Sequence, residues 1–114
     1  MRVLVVDDNT ELAENLAEIL SDAGHDTWVA SSAAAALAFG ECFDFALLDV
    51  RMDGMDGVEL LAALRRRCPQ TVCVMMTAFS RDERLDAART LGARQVLHKP
   101  VCLDELLNLM HPAA

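Results

Sequence analysis

Phe45-Ala46-Leu47-Leu48-Asp49-Val50-Arg51-Met52-Asp53-Gly54-Met55-Asp56-Gly57 runs from an apolar strand into a polar, glycine-spaced loop. Asp49 stands where the apolar run stops. A carboxylate at the C-terminal end of a buried strand is costly unless something uses it. Downstream, Asp56-Gly57-Val58-Glu59 resembles a capping box, with aspartate at the cap and glutamate three residues on. Val58, Leu61 and Leu64, with Leu60 widening the stripe, give the helix an inward face. Arg65, Arg66 and Arg67 favour its C-terminus, and Pro69 breaks it.

The same strand-then-helix unit recurs on both sides. Upstream, Val3-Leu4-Val5-Val6 is a short β-branched run ending in Asp7-Asp8, the pattern of a strand buried on both faces. Asn9 can cap a helix carrying Leu12, Leu16, Ile19, Leu20 and Ala23, which Gly24 ends in a left-handed conformation. Thr27 to Ala30 is a second strand, and Ser31 or Ser32 caps an alanine-rich helix through Phe39, closed by Gly40. Downstream, Val72 to Met76 is a fourth strand ending at Thr77. Ser80-Arg81-Asp82-Glu83 is a second capping-box sequence, opening a helix that Gly92 ends. Gln95 to His98 is a weaker fifth strand, broken by Lys99-Pro100. A last helix carries Leu103, Leu106, Leu107 and Met110, with Asp104 and Glu105 in its first turn. Strands alternating with helices across short loops imply a single α/β domain over residues 1–114: (βα)5, doubly wound, with a parallel five-stranded sheet and helices on both faces.

Gross composition narrows the function. The length of 114 residues suits one domain with a real core. A net charge of −8 argues against direct nucleic-acid binding through a basic face, so Arg65-Arg66-Arg67 reads as a solvated helix end. No apolar stretch approaches the roughly 20 residues of a membrane span, and Met1-Arg2 leads into no signal peptide, so a cytoplasmic location is expected. Cys42, Cys68, Cys73 and Cys102 form no C-x-x-C pair and read as small, mostly buried hydrophobes in a reducing cytosol. His25, His98 and His111 lack metal-ligand spacing.

Polar residues gather at one end of the sheet. Asp7-Asp8 follow the first strand, Asp49 the third, Thr77 the fourth and Lys99 the fifth. In open α/β sheets ligands bind beyond the carboxyl ends of the strands. Carboxylates held together repel, by roughly 4 kcal/mol for two unit charges 4 Å apart at an effective dielectric of about 20. A hard divalent cation relieves that repulsion, and magnesium is satisfied by a few carboxylates, water and phosphate oxygens. Lysine is a point-charge partner for a phosphoryl oxygen, threonine a hydroxyl donor, and aspartate a nucleophile able to form an acyl phosphate. Together these are the parts of a phosphoryl transfer.

The chain resembles the receiver domain of bacterial two-component response regulators from Val3 to about Met110. The resemblance rests on Val5-Val6-Asp7-Asp8, Leu47-Leu48-Asp49-Val50-Arg51-Met52 with Gly54-Met55-Asp56-Gly57, Met76-Thr77-Ala78, Gly92-Ala93 and Lys99-Pro100. It implies a flavodoxin-like strand order 2-1-3-4-5. It also implies that Asp49 accepts a phosphoryl group from a histidine kinase or histidine phosphotransfer protein. Asp8 then binds Mg2+ (Mn2+ as an alternative) directly, Asp7 through water and Arg51 through its backbone carbonyl, with Asp49 completing the protein ligands. Lys99 pairs with the phosphoryl group and Thr77 moves toward it. The face from about Ser80 to Met110, made of the fourth helix, fifth strand and fifth helix, changes its partner contacts and offers a homodimer surface. Such a domain catalyses only its own phosphorylation and dephosphorylation.

Two positions depart from the family pattern. Val96 stands where an aromatic usually rotates with the threonine, so the switch is expected to work through Thr77 and the following loop, with Phe79 a substitute ring. Asp53 replaces a proline, which loosens the loop and adds a carboxylate near the metal. The rival readings are a phosphorylation-independent interaction module and an aspartate-nucleophile phosphatase. Arg51 argues against the phosphatase, because those enzymes carry a second aspartate at that position. The absence of a glycine-rich loop after the first strand excludes a dinucleotide-binding module.

Overall fold

Runs rich in valine, leucine and methionine form the strands, and alternate side chains along each run leave the sheet on opposite faces. The computed structural model describes residues 1–52, 54, 56–78 and 83–110. Its elements are β1 (Arg2–Val6), α1 (Thr10–Asp22), β2 (Asp26–Ala30), α2 (Ala33–Ala38), β3 (Phe45–Asp49), α3 (Gly57–Arg67), β4 (Val72–Thr77), α4 (Arg84–Thr90), β5 (Gln95–His98) and α5 (Leu103–Met110). All neighbouring strands pair in parallel, in the order β2-β1-β3-β4-β5. The doubly wound architecture and the flavodoxin-like order are both as expected.

The two faces of the sheet hold two cores. Val3, Val5, Phe45, Leu47, Val74, Met76 and Leu97 pack with Ala13, Leu16 and Leu20 of α1 and Leu106 and Met110 of α5. The alternate strand residues Leu4, Val6, Ala46, Leu48, Cys73 and Met75 pack with Ala33 and Ala36 of α2, with Val58, Leu60, Leu61 and Leu64 of α3, and with Leu85 and Ala88 of α4. Strands covered on both sides must be apolar throughout, and all five residues of β3 are buried.

The caps follow the sequence closely. Asn9 accepts from the Leu12 N–H, Ser32 from the Ala35 N–H and Asp56 from the Glu59 N–H. Gly24 closes α1 with φ 97°. One start differs. The Ser80 capping box lies largely outside the described residues, and α4 opens at Arg84 behind Glu83, which makes no side-chain cap bond. The arginines ending α3 are more than a solvated end. Arg65 donates to the Pro69 and Thr71 carbonyls and Arg67 to the Leu37 carbonyl, so they tie down the turn after the helix and the end of α2.

The reading of the cysteines needs correction. Cys42 and Cys68 form a disulfide, and Cys102 is exposed; of the two unpaired cysteines only Cys73 is buried. The pairing depends on a Cα–Cα approach of 5.6 Å between residues 26 apart. The packing of α3 against β3 brings them together, and sequence spacing does not show it. No helix among the described residues is long and apolar enough to cross a membrane.

Candidate functional site

Three parallel strands deliver the site. Val6, Leu48 and Met75 are neighbours in register across β1, β3 and β4, so the residues that leave these strands emerge side by side. Asp7 follows β1, Asp49 ends β3 and Thr77 ends β4. Asp7 is 0%, Asp49 5% and Thr77 1% exposed, whereas Asp8 is exposed. One carboxylate oxygen from each of Asp7, Asp8 and Asp49 lies within 4.8 Å of the others.

Lys99 enters from the end of β5. Its peptide bond to Pro100 is cis, and its N–H donates to the Thr77 carbonyl at 2.7 Å. Its Nζ donates to Asp7 Oδ2 at 2.8 Å and lies 3.3 Å from Asp49 Oδ1. The other oxygen of Asp7 accepts from the Asn9 N–H at 2.9 Å, so both oxygens of that buried carboxylate are engaged. This bond is an Asx-type turn, in which aspartate accepts from the backbone two residues on.

The electrostatics follow from burial. Desolvation, reinforced by the charge of Asp7 and only partly offset by Lys99, pushes the Asp49 carboxyl from 3.8 up to about 6. Burial works against the Lys99 charge, but its bond to Asp7 and the charges of Asp49 and Asp7 outweigh it and hold the ammonium above its ordinary range. The donor set therefore fits a hard divalent cation. It is all oxygen, and it holds repelling carboxylates that one lysine leaves incompletely neutralised.

The loop after Asp49 is held at both ends. The Val50 N–H donates to the Met76 carbonyl, and the Val50 carbonyl accepts from the Gly57 N–H, each at 2.9 Å. Gly57 lies against the backbone of Asp49, where a Cβ would come 1.9 Å from the Asp49 carbonyl oxygen. Asp56, which caps α3, also pairs with Arg84 at the start of α4. The sequence marks Asp56 as a cap but shows neither this contact nor this pair. An Asp-Gly cap directly after a strand-end acid is the signal that points to the contact. Nothing local points to the pair. Asn9 caps α1 as its position implies, and its N–H also orients Asp7.

Arg51 is exposed at the head of the loop. Val96 is half-buried and packed against the core that contains Leu85 and Ala88. Asp53 and Phe79 lie outside the described residues.

A parallel doubly wound sheet with an acidic trio, a threonine and a lysine beyond its carboxyl edge defines a small open α/β domain whose polar groups gather where such sheets bind ligands. The response regulator receiver domain family matches residues 3–111. A response regulator receiver protein of Anaeromyxobacter sp. strain Fw109-5 is 44% identical over 95% of this chain and 46% of its own length. A response regulator receiver domain protein of Methanospirillum hungatei superposes with TM-score 0.91 at 31% identity, covering 96% of this chain and 89% of the other. The Thermotoga maritima response regulator TrrA, solved in complex with Mg2+ and BeF, superposes with TM-score 0.84 at 30% identity, covering 96% and 95%. The chain belongs to the response regulator receiver domain family. It spans less than half the length of the curated relatives that it matches first.

Proposed function

We propose that residues 1–114 form a phosphoacceptor switch in a two-component phosphorelay, in which Asp49 takes a phosphoryl group from the phosphohistidine of a kinase or phosphotransfer protein. The observation that carries this reading is the convergence of Asp49 with Asp7 and Asp8 within 4.8 Å, under a lysine 3.3 Å from Asp49. A carboxylate oxygen of Asp49 attacks phosphorus, the bond to the donor nitrogen breaks, and an acyl phosphate forms on Asp49. Lys99, already beside Asp49, pairs with a phosphoryl oxygen, and the Thr77 hydroxyl donates to another. Asp8, Asp49 and the Arg51 carbonyl would hold Mg2+ (or Mn2+) directly. Asp7, whose two oxygens already accept from Asn9 and Lys99, suits a water-mediated ligand. The bound cation supplies neutralisation of the charge shared by carboxylates and phosphoryl oxygens.

The response to phosphorylation runs from Thr77 into α4, β5 and α5. The Thr77 carbonyl holds the Lys99 N–H, and Thr77 pairs with His98 across the sheet, so motion at Thr77 reaches β5 directly. Val96 sets how far that motion spreads without a ring to rotate, and Asp53 tunes metal affinity or phosphoryl lifetime. The face formed by α4, β5 and α5 then exchanges partners, a second copy of the chain among them. The domain works in the cytoplasm as a signalling module, with no reaction beyond its own phosphorylation and dephosphorylation. It meets neither nucleic acid nor membrane directly.

Incubated with magnesium and a small acyl-phosphate donor, the protein should gain the mass of one phosphoryl group, and Asp49→Ala should not. Equal labelling of the variant would sink the assignment.

A further inference from the structure

Cys42 and Cys68 sit at the N-terminal ends of β3 and β4, the edge of the sheet opposite Asp49. Cys42 lies exposed in the connection between α2 and β3. Cys68 is 4% exposed and ends α3, its N–H donating to the Leu64 carbonyl at 2.7 Å. A cavity of about 250 Å³, lined by Cys42, Arg67, Cys68, Pro69 and Thr71 among others, opens beside the bridge. The remaining thiols do not compete for it. Burial, opposed in part by the Arg65 charge, pushes the Cys73 thiol up to about 11, which keeps it inert. Cys102 follows β5, on the far edge of the sheet.

Thiol–disulfide exchange needs an accessible sulfur, and this bridge offers one exposed and one buried. In a reducing compartment, disulfides that do form are usually transient or redox-sensing. We propose that Cys42–Cys68 is a reversible exchange site for low-molecular-weight thiols and disulfides of the glutathione class, entered through Cys42. In reduction a glutathione thiolate attacks Cys42 Sγ, the bond to Cys68 breaks, and the Cys68 thiolate leaves and takes a proton. A second glutathione thiolate attacks the glutathione sulfur of the mixed disulfide. This releases oxidised glutathione and the Cys42 thiolate, which is protonated in turn. The two protons come from the two glutathione thiols, and oxidation is the reverse. With the bridge closed, Cys42 Sγ lies 4.0 Å from the Arg67 carbonyl oxygen, an acceptor at hand for the thiol that reduction creates.

The bridge ties the connection before β3 to the end of α3. Asp49 lies at the other end of β3, about 15 Å along a strand of this length. The bridge therefore lies at the opposite end of the sheet from the candidate phosphoacceptor. The inference does not rest on that residue's chemistry, and its test does not read phosphorylation.

The protein should be equilibrated in glutathione buffers running from strongly reducing to strongly oxidising. It is then quenched in acid, alkylated with N-ethylmaleimide in denaturant, and weighed. All four cysteines should be alkylated at the reducing end and two at the oxidising end, with Cys42 and Cys68 protected on peptide mapping. Cys102→Ser should keep the transition. Oxidised glutathione should modify Cys68→Ser at Cys42 at least tenfold faster than it modifies Cys42→Ser at Cys68. A bridge intact in the most reducing buffer would overturn the proposal, as would four reactive thiols in the most oxidising one, protection of Cys73 or Cys102, or equal rates in the two single variants. The alkylation count on the unaltered chain decides the matter even where a serine variant fails to fold.

Discussion

At the scale of single residues, Asp49 is held ionised against its surroundings. Its folded value of about 6 exceeds the ordinary 3.8 because burial and Asp7 oppose the charge more than Lys99 supports it. Between those two values the folded protein binds more protons than the unfolded chain, so this residue's contribution to stability falls as pH rises through the window. Two units correspond to about 3 kcal/mol. In metal-free protein, Asp49→Asn should therefore be more stable than the unaltered chain at pH 7–8 by up to about 3 kcal/mol, and the two should converge toward pH 4. Urea midpoints measured in the presence of a chelator check this, and a gap that stays constant across the range would contradict it. The residue types of the site are legible in the sequence, since an acid or a lysine at the end of an apolar run is conspicuous. Their pairing is not. The bond from Lys99 to Asp7 spans 92 positions, and only the order in which strands enter the sheet brings the two together.

At the scale of elements, the N-terminus of α3 does two jobs through one side chain. One oxygen of Asp56 caps the helix, and the other pairs with Arg84 on α4. Asp56→Ala loses both and should cost about 1–2 kcal/mol, most of it from the cap. Arg84→Ala should cost less than about 1 kcal/mol, because the arginine is 43% exposed and its pair is partly screened by solvent. Asp56→Asn, which keeps a capping oxygen, should fall between them. Chemical denaturation of the three variants and of the double alanine variant isolates the coupling; an Asp56→Asn as damaged as Asp56→Ala would show that the ion pair, and not the cap, dominates. Strand positions and most caps are legible because they follow local rules: short continuous apolar runs, side-chain oxygens before helices, glycine after them. The ion pair between Asp56 and Arg84 is not, because it joins two helices. The Ser80 capping sequence falls largely outside the described residues, and within them Glu83 precedes α4 without a side-chain cap bond.

At the scale of the whole molecule, a ligand that binds only the folded arrangement of the carboxylates stabilises that arrangement by mass action. At free metal about 100-fold above its dissociation constant the gain is about 2.7 kcal/mol, a rise of several degrees in Tm for a domain of this size. Magnesium should produce that rise and Asp8→Ala should remove most of it; thermal melts with and without a chelator measure both, and a full shift surviving in the variant would place the cation elsewhere. The sequence by itself determined the alternation of strands and helices, the two-sided burial of the sheet and the residues at its carboxyl edge, because each of these is set by side chains within a few positions of one another. Only the tertiary structure decided which charges neutralise which, how closely Gly57 approaches Asp49, and that Cys42 meets Cys68. Those contacts join residues brought together by packing, and packing is a property of all the elements at once.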